Sequence, residues 1–159
     1  MKLKLTITTL LLAVAATWLS AGAMAAEYTL KLHHLLGPKA PAHSKMLVPW
    51  AKKIEQASNG RVKIDIYPAM SLGGKPPQLI RQVRDGVVDL VWTVNGYTPG
   101  LFPRTEVFEL PFIHTNNPAA TNLAMREMFE ADLAEEYTGL KVMFLPAISL
   151  PERNPHETV

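Results

Sequence analysis

The sequence predicts an α/β domain on a central, mostly parallel sheet, set behind a secretory leader. Three observations carry that prediction. Segments of period-two hydrophobicity alternate with segments of helical period, the changeovers fall on Asn-Gly, Pro or Gly residues, and the connections are long enough for helical crossovers.

Residues 1–25 divide into a basic start at Lys2 and Lys4, an apolar run from Leu5 to Leu19, and a small-residue end, Ala21-Gly22-Ala23-Met24-Ala25. That order is the layout of a signal peptide, and Ala23 and Ala25 place the expected cleavage after Ala25. The apolar run is short for a span of about 20 residues, so a retained membrane anchor is the weaker reading. A periplasmic destination follows, since no lipidation cysteine stands after the leader. The chain has no cysteine at all, which excludes thiol chemistry and leaves stability to core burial. Charge adds a second exclusion. Lys plus Arg number 16 against 14 Asp plus Glu, and two of the 16 are Lys2 and Lys4, so the basic footprint of a nucleic-acid binder is missing.

Tyr28, Leu30 and Leu32 alternate with Thr29, Lys31 and His33, which predicts a strand with one buried face, ending near Gly37-Pro38. From His43 to Ser58, Met46, Leu47, Trp50, Ala51, Ile54 and Ala57 recur at helical spacing. Pro49 removes one amide donor, so the helix either bends there under a Ser44 cap or becomes regular only at Pro49. Asn59-Gly60 stops it, and Val62, Ile64 and Ile66 mark a second strand to Tyr67. After a turn-rich loop from Pro68 to Pro77, Gln78 to Asp85 predicts a short helix with Leu79, Ile80 and Val83 inward and Gly86 as its stop. Val87 to Val94, a nearly continuous apolar run broken by Asp89, reads as a strand buried on both faces. Asn95 to Pro111 is loop-like. Asn117 then caps a helix that starts at Pro118 and runs to about Tyr137 through Leu123, Met128, Phe129 and Leu133 before Gly139 ends it, and Leu140 to Leu145 predicts one more strand. The tail, Pro146 to Val159, holds three prolines in 14 residues without periodicity, a composition at odds with the domain before it.

Few motifs point to chemistry. His33, His34 and His43 invite a metal reading, but neighbours on a strand face opposite ways and no Asp or Glu lies near them in sequence, so polar or pocket-lining histidines are expected instead. Leu72-Gly73-Gly74-Lys75-Pro76-Pro77 lacks the Ser or Thr of a phosphate loop, and its prolines remove two amide donors. A tight turn facing either the chain or a solute is the better reading. Trp92-Thr93-Val94-Asn95 ends the central strand, where open parallel sheets place their ligand crevice, and it pairs an aromatic wall with orienting polar groups. Glu106 and Glu109 read as solvated. No nucleophile elbow, zinc helix or carboxylate pair is present, so neither an enzyme nor a cofactor is expected.

The order of motifs resembles one family: the DctP-type solute-binding subunit of tripartite ATP-independent periplasmic (TRAP) transporters. The likeness runs from residue 27 to about 145. It rests on the Tyr28-to-His34 strand, Asn59-Gly60-Arg61-Val62-Lys63-Ile64, Tyr67-Pro68 before Leu72-Gly73-Gly74, Asp85-Gly86-Val87-Val88-Asp89-Leu90, and Phe108-Glu109-Leu110-Pro111-Phe112. The resemblance implies a two-lobe clamshell that closes on a small organic acid and hands it to membrane permease subunits, with residues 26–145 as its first lobe. Solute contacts then fall near His34 and Leu35, at Gly73 and Gly74, and at Trp92, Thr93 and Asn95. The family's carboxylate-gripping arginine has no matching context here, Arg153 included. Members of the family are considerably longer, so residues 146–159 are expected to be a frameshifted or truncated end, and a lone lobe is expected to be poorly soluble or partly disordered. A sensory or metal-binding module using the same lobe is the alternative.

Overall fold

The computed structural model describes residues 26–110, 113 and 117–145. The leader with its cleavage site, Pro111-Phe112 and the tail with Arg153 lie outside the described residues.

Three strands form a parallel sheet in the order β2-β1-β3, with β1 at Tyr28–His34, β2 at Val62–Tyr67 and β3 at Leu90–Trp92. Tyr28 pairs with Val62 and His33 with Tyr67 on one side, while Leu32 pairs with Leu90 and His34 with Trp92 on the other. All three strands therefore end at one edge, and the segments that leave them lie side by side.

Helix α1 (Val48–Ala57) follows a π-helical run, Ala42–Leu47, which answers how Pro49 is accommodated. The Val48 amide reaches back five residues to the His43 carbonyl, so the widened turn sits where the proline lacks a donor. Of the two alternatives, the helix that becomes regular only at Pro49 is the one that forms, since α1 starts at Val48 and Ser44 is not its cap. Helical turns begin upstream of it, and its hydroxyl donates to the Ala40 carbonyl at 3.1 Å. Leu47 and Ala51 are buried on the inner face. Asn59 and Gly60 take positive φ, and the Gly60 amide bonds the Glu55 carbonyl, ending α1 as predicted.

After the 3-10 turn Pro76–Gln78 comes α2 (Leu79–Arg84), which buries Leu79 and Ile80 and closes at Gly86 with φ +71°. β3 is shorter than the predicted Val87 to Val94 and is only half-buried, and Val87, which falls outside it, is 56% exposed. The carboxylate of Asp89 accepts the Lys31 amide at 2.7 Å, taking a donor that a ladder carbonyl would otherwise receive, so regular pairing starts only at Leu90. The expected loop beyond β3 is ordered into short turns: 3-10 helices at Asn95–Tyr97 and Val107–Glu109 flank α3 (Pro103–Glu106).

Helix α4 (Pro118–Met128) starts as predicted, with the Asn117 side chain accepting the amides of Ala119 and Ala120. It then shifts register through a π-helical Phe129–Leu133 and a 3-10 Ala134–Tyr137. That shift selects which residues face inward. Met125, Leu133 and Tyr137 are buried, whereas Leu123 and Met128 are exposed. The predicted strand Leu140–Leu145 does not form. Leu140, Val142 and Leu145 pack against a cluster of Ile80, Phe102 and Tyr137, with no strand paired to them among the described residues.

β1 also departs from the one-sided burial its alternation predicted. Tyr28 is exposed, but Leu32, His33 and His34 are all buried, since α2 covers one side of the strand end and the run before α1 the other.

Candidate functional site

The carboxyl edge of the sheet brings the three post-strand segments together. The Met70 amide donates to the His34 carbonyl and the Ala69 amide to Leu36, which ties the loop after β2 to the turn after β1. Next to β3 opens a cavity of about 400 Å³. Its apolar wall includes Val91, Trp92, Phe108 and Met125, and its polar groups include Thr93, Asn95, Glu109 and Tyr137.

Of the residues singled out by sequence, Trp92, Thr93 and Asn95 line this cavity together. His34, Leu35, Gly73 and Gly74 do not; His34 is the last residue of β1, paired with Trp92, and the others belong to the segments after β1 and β2. Gly73 and Gly74 both have φ near +87°, and a Cβ on Gly74 would stand 2.9 Å from the Gln82 amide nitrogen. The glycine turn is therefore pressed against α2, the close approach that its composition suggested.

The cavity pairs apolar walls with a few polar groups. The indole Nε1 of Trp92 is buried with no hydrogen-bond partner among the described residues, a donor in want of an acceptor. Asn95 is aimed by its own Nδ2, which donates to the Tyr137 hydroxyl at 2.8 Å. Tyr137 stacks on Phe102 at 4.5 Å, and burial raises its hydroxyl pKa, so it remains a neutral hydrogen-bonding group.

Glu109 was expected to be a solvated side chain, and the structure corrects this. Its two carboxylate oxygens accept the amides of Asn95 at 3.0 Å and Gly96 at 2.8 Å, bracketing the turn that carries Asn95. Glu106 likewise accepts the Gly100 amide at 3.0 Å. Both are partners of backbone donors that a turn leaves unpaired, and only the fold brings them within reach. Glu136, unremarked in the sequence, accepts from the Thr105 amide and hydroxyl at the start of α3.

At the end of β1 the two histidines point opposite ways, as strand geometry requires. His34 Nε2 lies 2.9 Å from His43 Nδ1, while His33 Nδ1 lies 2.7 Å from Gln82 Oε1. Among the described residues no three His, Asp or Glu side chains converge as a metal site. Burial, then the positive potential of His43 and His33, lowers the His34 pKa to about 4.

A parallel-sheet lobe with its ligand-facing loops and an aromatic cavity at the carboxyl edge is the architecture of one half of a solute receptor. Residues 32–146 match the family model DctP, bacterial extracellular solute-binding protein, family 7, and the chain belongs to that family. Its members are transport components and not enzymes. Among solved structures, a marine metagenome TRAP solute-binding protein specific for aromatic acid ligands, in complex with metahydroxyphenylacetate, is 49% identical with a TM-score of 0.70. The match covers 74% of this chain and 36% of that one. A TRAP solute-binding protein from Rhodoferax ferrireducens T118 with copurified benzoate is 44% identical with a TM-score of 0.69, covering 73% of this chain and 36% of that one. The outer membrane transporter protein TsaT of Comamonas testosteroni is 36% identical over 87 residues, which is 55% of this chain and 25% of TsaT. The chain thus spans about a third or less of the length of these relatives.

Proposed function

We propose that this chain is the first lobe of a periplasmic receptor that captures a small aromatic carboxylate and delivers it to the membrane permease of a TRAP transporter. Trp92 carries the proposal: an aromatic wall with an unpaired N–H donor, beside Thr93 and Asn95, in a chain 49% identical to a receptor described as specific for aromatic acids. An aromatic ring gains from an apolar wall, and a carboxylate supplies the acceptor that the indole lacks. Leu35, Gly73 and Gly74 form the rim beside this wall, on the segments after β1 and β2, and the buried ring of His34 supports it from the end of β1. Among the described residues no arginine lines the cavity, and the reading assigns the group that grips the carboxylate head to the opposing lobe of the clamshell. Residues 1–25 act as the export leader, and the receptor meets its solute outside the inner membrane.

The test is a titration of the 159-residue chain with benzoate and 3-hydroxybenzoate, read at the indole ¹H–¹⁵N resonance of Trp92. A saturable shift is expected with both, and a smaller one with succinate. An indole signal that ignores the aromatic acids, or answers succinate equally, would refute the assignment.

A further inference from the structure

The two buried histidines at the end of β1 are each wired into a chain of hydrogen bonds whose direction is set from its ends. On one side, the Gly73 carbonyl can only accept, so the Gln82 side-chain nitrogen, 3.1 Å away, donates to it. Gln82 Oε1 is thereby turned to His33 and accepts from Nδ1–H at 2.7 Å. His33 Nε2 then carries a lone pair, which accepts the Leu72 amide at 3.4 Å. On the other side, the Leu36 amide donates to His34 Nδ1 at 3.1 Å, so the His34 proton sits on Nε2 and is donated to His43 Nδ1 at 2.9 Å. Each chain begins or ends on the backbone of a segment that leaves the carboxyl edge. Each works only with a neutral ring, because a second ring proton would confront a backbone N–H with another donor.

We propose that His33 and His34 are positioning residues, two neutral struts that set the 72–74 turn and the 35–36 turn at the rim of the crevice, and that protonating either ring releases the turn it holds. Both rings have 0% exposure, and both nitrogens of each are committed to the protein, so neither is free to bond a solute directly. His34 faces His43 from the run before α1 and has His33 beside it in β1. His33 pairs in register with Tyr67 of β2 and Val91 of β3, and α2 presents Gln82 to it, with Arg81 exposed on that helix and paired to Asp85. The carboxylate of Asp89, on the β3 side, is bonded to the Lys31 amide. No carboxylate is within bonding distance of either ring among the described residues, so nothing repays a positive charge there.

The rim role rests on the receptor reading, but the struts are read without any solute. In the ¹⁵N-labelled 159-residue chain, long-range ¹H–¹⁵N spectra of the rings at neutral pH should show the proton of His33 on Nδ1 and that of His34 on Nε2. Amide protection at Leu36 and Leu72, corrected for intrinsic exchange, should fall about tenfold on acidification as each hydrogen bond is lost. Gln82→Glu places a carboxylate against His33 and favours its imidazolium, so the midpoint for Leu72 should rise by about one pH unit or more while that for Leu36 stays. A purely structural glutamine would move neither midpoint selectively. The reverse tautomer on either ring, or a Leu72 midpoint unmoved in the variant, would overturn the proposal. Should the variant not fold, the tautomers of the unaltered chain decide it. A chain with correct tautomers that ignores benzoate would sink the receptor reading alone.

Discussion

His34 shows how much one side chain's surroundings decide. A histidine whose folded pKa, about 4, lies below the ordinary 6.5 takes up its proton more readily in the unfolded chain. Its contribution to stability is therefore complete above pH 6.5 and is lost as pH falls towards 4, with a slope of up to about 1.4 kcal/mol per pH unit. Urea denaturation between pH 7 and 4 should show this fall, and His34→Phe should flatten it at the cost of lower stability at neutral pH. Glu109 offers a second test. With its carboxylate bonded to the Asn95 and Gly96 amides, Glu109→Ala leaves the half-buried Asn95 amide without its partner and the exposed Gly96 amide to water, and should destabilise the chain by about 1 kcal/mol, read from the urea midpoint. Loss of that bracket also frees Asn95, so the aromatic-acid titration should weaken in the same variant. Neither effect was legible in sequence. Glu109 looked solvated because nothing local tells a carboxylate that it will meet two amides 13 and 14 residues away.

Elements were most legible where a local rule acts within one turn of chain. The Asn117 cap, the Asn59-Gly60 stop and the Gly86 stop all formed as expected. Asn117→Ala should cost about 1 kcal/mol, seen as a loss of helical circular dichroism at intermediate urea. Gly74→Ala should cost at least about 1 kcal/mol, since φ is +87° and the added Cβ meets Gln82 at 2.9 Å. It should also disturb the His33 ring signals through Gln82. Where an element's extent depends on a distant partner, the sequence misled. β3 is clipped by the Asp89 carboxylate at one end and by the Glu109 bracket at the other, neither visible in an apolar run. Leu140–Leu145 has a strand's composition, yet with the cavity between it and β3 it has no ladder to join.

Taken whole, the described residues form a sheet whose outer strand β3 is paired on one side only, beside a cavity of about 400 Å³. Large apolar side chains such as Val87, Leu110, Leu123, Met143 and Phe144 stand exposed. An open strand edge with apolar surface around it favours pairing with further chain, so sedimentation velocity should show self-association that rises with concentration. A monodisperse monomer across that range would count against the surface described. The α/β class could be read from the residues because the hydrophobic period and the glycine and proline stops are properties of short stretches of chain, and the family could be read from its resemblance in the order of local motifs. The strand order β2-β1-β3, the opposed histidine struts and the convergence of Trp92 with Tyr137 were decided by the fold alone. Hydrogen bonds and packing act across a few ångströms of space, and a sequence records only distance along the chain.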